Sequence, residues 1–148
     1  MAALRNPEIT VPFLNGEIEL FNSGKKAFKW RCETSGAVQV PKVKEEAVSG
    51  HFTLDLKGSA GYRCHLEIPE GATVVLDGKN GSLTASTPHF NLTARLENGE
   101  IAFLPDPGSK YRFQNSVVNG QNQPFESSDA LEAYKISLST VNGSIGNH

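Results

Sequence analysis

The sequence contains the pair Asn-Gly five times in 148 residues, and this repetition limits the folds open to the chain more than any other feature. The pairs are Asn15-Gly16, Asn80-Gly81, Asn98-Gly99, Asn119-Gly120 and Asn142-Gly143. Glycine adopts positive φ freely, and asparagine tolerates it better than most residues do. We therefore expect each pair to mark a sharp change of chain direction, with both of its residues at positive φ.

A similar pattern follows four of the five pairs: a small or polar residue, an aliphatic residue, and then alternation of apolar and polar residues. Alternation with a period of two is typical of a half-buried strand. From Gly81 onward, the glycines of successive pairs are 18, 21 and 23 residues apart, which is close to a constant period. The sequence therefore predicts an all-β fold with repeated strands, in which Leu83, Ile101 and Ile145 stack in the core.

Two all-β architectures place a turn at each Asn-Gly pair. If the pairs are hairpin turns, the chain is an antiparallel β-sandwich or jelly roll. If they are the corners of a coil, units of roughly 20 residues stack into a β-solenoid. We favour a short right-handed β-helix, or β-solenoid, because the similarity lies in the strand after each pair and not on both sides of it. The predicted units are residues 73–90, 91–112 and 134–148, within a single domain that covers residues 1–148.

A family resemblance rests on the same residues. Ile68-Pro69-Glu70-Gly71-Ala72 precedes Asn80-Gly81-Ser82-Leu83, and the second motif returns at Asn98-Gly99-Glu100-Ile101 and Asn142-Gly143-Ser144-Ile145. Ser35-Gly36-Ala37-Val38 fits a first strand of this kind. In these features the chain resembles the adhesin-like β-helix domains of bacterial cell-envelope proteins, whose specific function is unknown. The resemblance covers most of residues 9–148, and it implies a short β-helix that serves as a non-enzymatic structural or interaction module.

The charge balance and the expected fold together indicate the class of partner. The chain has 14 Lys and Arg against 16 Asp and Glu, a formal net charge of −2. It lacks the excess of basic residues with which proteins bind nucleic-acid phosphates, so no nucleic-acid partner is expected. A protein or a surface glycan is the expected partner. Exposed strand edges at the ends of a solenoid also predict self-association.

A carbohydrate-binding β-sandwich is the main alternative. It would stack aromatic side chains of one strand face against sugar rings. Six aromatic residues are candidates for such a platform: Trp30, Phe52, Tyr62, Phe103, Tyr111 and Phe113. Packing of these rings in the core is the favoured interpretation.

The two cysteines, Cys32 and Cys64, lie in similar contexts, each two residues after an aromatic residue. This similarity is compatible with equivalent, stacked positions in a repeating structure. A disulfide is compatible with the spacing, but two buried free thiols are the favoured interpretation. The absence of a CxxC motif from the sequence argues against a zinc or redox site.

No set of residues has a recognisable catalytic spacing, so we expect no enzyme and no cofactor, and we assign no catalytic, cofactor-binding or metal-binding residue. A cupin-like metal-dependent enzyme built around His51, His65 and Glu67 is the less favoured alternative. A cupin-like site requires His-x-His followed by Glu, and Leu66-Glu67 stands where the second His would be.

The sequence predicts no membrane span, because no stretch approaches the roughly 18 apolar residues that a spanning helix needs. Its first residues lead into Asn6-Pro7-Glu8 without the apolar core of a signal peptide. The family resemblance implies the cell envelope or the extracellular space. A chain that starts natively at Met1, with no signal removed, would instead be cytoplasmic, and the sequence leaves both locations open.

Overall fold

The computed structural model describes residues 8–22, 28–34, 42–46, 51–56, 61–123, 125, 127–128, 130 and 133–146. Nine β-strands account for most of these residues, and no helix occurs among them. Within these ranges, accordingly, no helix could cross a membrane. The strands are β1 (Glu8–Asn22), β2 (Lys29–Thr34), β3 (Lys42–Glu46), β4 (His51–Asp55), β5 (Tyr62–Ile68), β6 (Thr73–Ser86), β7 (Asn91–Leu104), β8 (Tyr111–Asn122) and β9 (Tyr134–Gly146).

The strands form one mixed sheet, which confirms the all-β prediction. Their order is β2-β5-β1-β6-β7-β9-β8, with β4 paired to β1 and β3 paired to β4 beside this path. Every pair between β1 and β8 along the order is parallel, as are β1–β4 and β1–β5. The pairs β2–β5 and β3–β4 are antiparallel.

Each Asn-Gly pair lies inside a strand and not between two strands. The residues before the pair and those after it bond to the same parallel neighbour, for example Thr73–Gly78 and Asn80–Ser86 of β6 to β7. A hairpin turn would instead join two antiparallel strands. The interpretation of the pairs as hairpin turns is therefore wrong.

Within the Asn-Gly pairs, only glycines have positive φ. Among the described residues, φ is positive at Gly81 (142°), Gly99 (143°), Gly120 (143°) and Gly143 (159°), but at neither Gly16 nor any of the five asparagines. The prediction of positive φ for both residues of each pair is therefore wrong for the asparagines and for Gly16. In β6, β7, β8 and β9, the glycine of the pair supplies the unusual conformation, and the asparagine keeps a negative φ.

The five asparagine side chains form a hydrogen-bonded ladder across the sheet. Four of them donate from Nδ2 to the Oδ1 of the asparagine on the preceding strand in the sheet order, and Asn15 only accepts. The bonds run from Asn80 to Asn15 (3.3 Å), Asn98 to Asn80 (3.0 Å), Asn142 to Asn98 (2.9 Å) and Asn119 to Asn142 (3.0 Å). The repeated pair thus stands at the same register position in β1, β6, β7, β9 and β8.

The buried side chains form rows that cross the parallel strands. On the N-terminal side of the Asn-Gly pairs, one row consists of Ile9, Val74, Leu92 and Ile136, and a second of Val11, Leu76, Ala94 and Leu138. On the C-terminal side of the pairs, Ile18, Leu83, Ile101 and Ile145 form a third row. The predicted stacking of Leu83, Ile101 and Ile145 is confirmed, and burial of these rows stabilises the sheet.

The starts of the predicted repeating units agree with the strands, but their stacking does not follow chain order. Units beginning at residues 73, 91 and 134 match the starts of β6, β7 and β9. The unit 91–112 is too long, because β8 already begins at Tyr111. β9 inserts between β7 and β8, so the last strand of the chain is not the last strand of the sheet. The segment Ser35–Val38, expected as a first strand, lies outside the described residues.

Cys32 and Cys64 form a disulfide, with their Cα atoms 4.1 Å apart. They face each other in the antiparallel β2–β5 pair. The predictions of free thiols and of equivalent positions in stacked repeats are therefore wrong. The physical reason is the direction of β2, since antiparallel pairing can place two residues directly opposite each other at a short Cα distance.

Candidate binding cleft

A cleft of about 460 Å³ lies beside β8, the strand at one end of the sheet order. Its two walls are the turn between β7 and β8 and the segment that follows β8, and its floor is the start of β8. The lining residues are Pro105, Asp106, Pro107, Ser109, Lys110, Tyr111, Phe113, Phe125, Ser127 and Ser128. Volumes of this size are typical of small-molecule sites.

The first wall is a tight turn at residues 105–110, which contains the sequence Pro-Asp-Pro-Gly. The backbone N–H of Ser109 donates to the carbonyl oxygen of Asp106 (3.0 Å). The N–H of Gly108 donates to Asp106 Oδ1 (3.1 Å), as aspartate side chains often accept from the residue two positions on. The turn therefore holds the Asp106 side chain in one orientation.

The Asp106 carboxylate places a negative charge in the cleft. Its Oδ2 lies 2.6 Å from Nε2 of His89 and accepts a hydrogen bond from Ser109 Oγ (3.0 Å). The hydrogen bond with His89, followed by those from Gly108 and Ser109, holds the pKa of Asp106 below its usual value of 3.8. The carboxylate is therefore ionised at neutral pH.

His89 is itself fixed by contacts with two other parts of the chain. Its backbone N–H donates to Asn22 Oδ1 (2.8 Å), while Asn22 Nδ2 donates to the carbonyl oxygen of Thr87 (2.6 Å). Its ring stacks on that of Tyr134, with the centroids 6.1 Å apart. Ser109 donates to Asp106 and not to His89, so these residues do not form a nucleophile–base–carboxylate chain. The hydrogen bond between His89 and Asp106 joins the β6–β7 connection to the first wall of the cleft.

Aromatic rings form the floor. Phe103 is fully buried beneath it and contacts the rings of Tyr111 (5.2 Å, 89°) and Phe113 (5.0 Å, 83°) edge to face. Phe113 stacks on Phe125, with centroids 4.9 Å apart and planes at 20°. Phe113 and Phe125 are only partly buried, so their rings supply apolar surface to the cleft.

Tyr111 joins the floor to the first wall. Its hydroxyl donates to the carbonyl oxygen of Pro88 (2.7 Å) and accepts from the backbone N–H of Asp106 (3.2 Å). Burial raises the pKa of the Tyr111 hydroxyl above its usual value, so it stays protonated and keeps its role as a donor.

The second wall is bonded to the outer edge of β8. The N–H of Ser128 donates to the carbonyl oxygen of Tyr111 (2.7 Å), and the N–H of Phe113 donates to Ser127 Oγ (3.1 Å). Arg112 Nε donates to the carbonyl oxygen of Ser128 (3.4 Å). These bonds hold Phe125 and the two serines against the start of β8.

Comparison with solved structures finds a likeness over almost the whole chain. The matching crystal structure is described as that of a "putative cell adhesion protein" from Clostridium sporogenes. The two chains are 12% identical, the TM-score is 0.68, and the match covers 95% of this chain and 91% of the other. At this identity the likeness shows a shared fold. Neither protein-family models nor curated proteins give a match to the sequence.

The six aromatic candidates do not form one platform. Tyr62, Phe103 and Tyr111 are buried, which confirms core packing for these three. Trp30 and Phe52 lie on β2 and β4, at the other end of the sheet from β8. Only Phe103, Tyr111 and Phe113 come together, and Phe125, which completes their cluster, was not among the candidates. Its one sequence signal is a lone aromatic residue in a polar stretch.

The residues of the cupin-like alternative are also placed by the structure. His65 and Glu67 lie on β5, and the His65 ring stacks on Phe21 with centroids 4.4 Å apart. The side chain of His51 lies outside the described part of the chain. Among the described side chains, no group of three or more His, Cys, Asp and Glu residues is arranged to hold a metal ion.

Proposed function

We propose that this protein is a non-enzymatic, adhesin-like interaction module, in which the parallel strands are a rigid scaffold and the cleft beside β8 binds the partner. The observation that carries the proposal is the composition of the cleft. Partly exposed, stacked rings of Phe113 and Phe125 lie beside the fixed carboxylate of Asp106 and the hydroxyls of the cleft serines. The fold shared with a protein described as an adhesion protein supports the same role.

A surface glycan is the partner that this chemistry fits best. Sugar rings present apolar C–H faces that pack on aromatic rings and hydroxyls that bond to carboxylates and serines. The ionised Asp106 disfavours anionic sugars, because two negative charges in a partly dehydrated site repel each other. We therefore expect a neutral or amino sugar rather than a sialic or uronic acid.

Binding of the full chain to an immobilised panel of neutral, amino and acidic glycans tests this proposal. We expect binding to neutral or amino sugars that falls at least about tenfold in Phe125→Ala and in Asp106→Asn. Phe21→Ala is the matched control, because Phe21 is also a half-buried phenylalanine in a ring stack but lies on β1, away from the cleft. Equal binding by all three variants, or no binding to any glycan, would contradict the proposal.

We further propose that the strands wind into a short right-handed β-solenoid. β6 and β7 are parallel neighbours of 14 residues each, and only residues 87–90 connect them. A straight strand of this length spans about 43 Å, whereas the connection reaches at most about 18 Å. β6 must therefore turn back on itself, and Gly81, with φ of 142°, is the place for the corner. A right-handed coil follows from the strong preference of parallel connections for that hand.

Pulsed electron paramagnetic resonance with spin labels at positions 73 and 86 tests the coil. In a coil, the Cα atoms at the two ends of β6 lie within about 20 Å of each other, while in an extended strand they lie about 43 Å apart. The length of the spin labels adds to both distances. Labels at positions 73 and 91 are the control, since these residues are partners in the β6–β7 pair and are close in either case. A distance near 40 Å between positions 73 and 86 is the result that would exclude the coil.

A further inference from the structure

The edge strands at the two ends of the sheet differ in charge. At one end, β2 carries Lys29, Arg31 and Glu33, all exposed, and β3 has the sequence Lys-Val-Lys-Glu-Glu. At the other end, residues 114–123, which include most of β8, contain no charged residue. Charged side chains on an edge strand hinder pairing with another chain. Only the β8 end therefore lacks this protection.

Among the described residues, the backbone of β8 is covered at its start and has no neighbour on its outer side further along. Its inner side pairs with β9, and its outer side bonds to Ser128 through the Tyr111 carbonyl and to Ser127 through the Phe113 N–H. Backbone groups alternate between the two sides of a strand with a period of two. The N–H and C=O groups of Asn115 and Val117 therefore point to the outer side as well. No other described residue bonds to them there.

Exposed apolar side chains lie next to this open stretch. Val118 is 69% exposed, more than any other large apolar side chain among the described residues, and Val141 on neighbouring β9 is 40% exposed. They stand side by side, because the register pairs Val117 with Thr140 and Asn119 with Asn142. An open edge beside an exposed apolar patch is a surface on which a further strand gains both hydrogen bonds and apolar burial.

We infer that the strand that pairs with this edge is β8 of a second copy of the chain, antiparallel to the first about a two-fold axis at Ser116. Because residues 114–123 are uncharged, the segment can face itself without charge repulsion, as a two-fold interface requires. Asn115 of each copy would then face Val117 of the other, which allows four backbone hydrogen bonds. Because the opposite end of the sheet is charged, association stops at the dimer.

Sedimentation velocity of the full chain over a range of concentrations, up to several hundred micromolar, tests the inference. We expect a monomer–dimer equilibrium whose dissociation constant rises at least about tenfold in Val118→Lys and in Ser116→Lys. Val75→Lys is the matched control, because Val75 is a 37% exposed valine on β6, in the middle of the sheet, and its variant should dimerise as the wild type does.

Melting temperatures first establish that each variant is folded. A wild-type protein that remains monomeric at all concentrations would overturn the inference, as would species that grow beyond the dimer. It also fails if both lysine variants of β8 dimerise with the wild-type constant. Glycan binding by the cleft is measured separately, so either proposal can fail while the other stands.

Discussion

Phe13 and Gly78 stand opposite each other in the parallel β1–β6 pair, and the ring of Phe13 fills the space that a side chain at position 78 would need. A Cβ atom built on Gly78 would overlap three ring carbons of Phe13. Phe13 is 3% exposed, and the same row continues with Leu96 and Thr140 on β7 and β9. The row holds a large ring on β1 because its neighbour on β6 has no side chain.

We expect Gly78→Ala to lower the free energy of unfolding by about 1 to 3 kcal/mol, the usual cost of excess volume in a packed core. Urea denaturation measures the change. Gly108→Ala is the matched control, since a Cβ there makes only an ordinary contact of 3.7 Å with Asp106. Phe13→Leu in the Gly78→Ala background should recover part of the loss. If the loss in the double variant equals the sum of the two single losses, the side chain at position 78 does not clash with the ring of Phe13.

The four pair glycines with positive φ, Gly81, Gly99, Gly120 and Gly143, are expected to tolerate a side chain less well than Gly78 does. A Cβ on Gly99 would overlap the backbone carbonyl of Gly81, which cannot move aside as a side chain can, and φ at Gly99 is 143°. Backbone strain and overlap together predict a loss of at least about 3 kcal/mol in Gly99→Val. The loss is measured by urea denaturation, with Gly108→Val as the control. Equal stability of the two variants would show that no corner lies at Gly99.

The repeated Asn-Gly pair made the strand repeats and core rows predictable, because it marks the same position in each parallel strand. The sheet order was not predictable. Insertion of β9 between β7 and β8 depends on which strands meet after long connections, and local sequence does not encode this. The disulfide was missed for the same reason, since the antiparallel direction of β2 decides that Cys32 faces Cys64.

Loss of a central member of the asparagine ladder should cost about twice as much as loss of its last member. Asn98 donates to Asn80 and accepts from Asn142, whereas Asn119 makes one ladder bond, to Asn142. At about 1 kcal/mol per hydrogen bond, Asn98→Ala should lose about 2 kcal/mol and Asn119→Ala about 1 kcal/mol. Thermal and urea unfolding of both variants give the comparison. Equal losses would mean that the ladder bonds contribute little.

Reduction of the Cys32–Cys64 disulfide should destabilise the protein by about 3 to 4 kcal/mol. The bond closes a loop between residues 32 positions apart, and its removal restores the conformational entropy of that loop in the unfolded chain. Urea unfolding with and without dithiothreitol measures the effect. The double variant Cys32→Ser, Cys64→Ser is the control, and its stability should not respond to the reductant. If the urea midpoint of the wild type is unchanged under reduction, the disulfide does not stabilise the protein.

The cleft was less predictable from the sequence than the fold was. Tyr111 and Phe113 were among the aromatic candidates, but Phe125 and the pair His89–Asp106 were not. Asp106 is 17 residues from His89, and the two meet only because consecutive connections between strands lie side by side at the same edge. A site built from such connections depends on the three-dimensional stacking, and its residues share no spacing or motif.

The charge of Asp106 should make the stability of the protein depend on pH in acid. Because its folded-state pKa lies below 3.8, its ionised form favours the folded state. This contribution is complete above the unfolded pKa and is lost as pH falls through the folded pKa. Asp106→Asn should therefore be less stable than the wild type above about pH 5, and the difference should shrink below pH 3.8.

Urea unfolding between pH 2.5 and pH 7, at about half-unit steps, measures this difference in stability. Asp77→Asn, which removes an exposed carboxylate on β6, controls for the loss of one negative charge. If the gap between wild type and Asp106→Asn stays constant to the acid end of the series, the bonds from His89, Gly108 and Ser109 do not stabilise the ionised carboxylate.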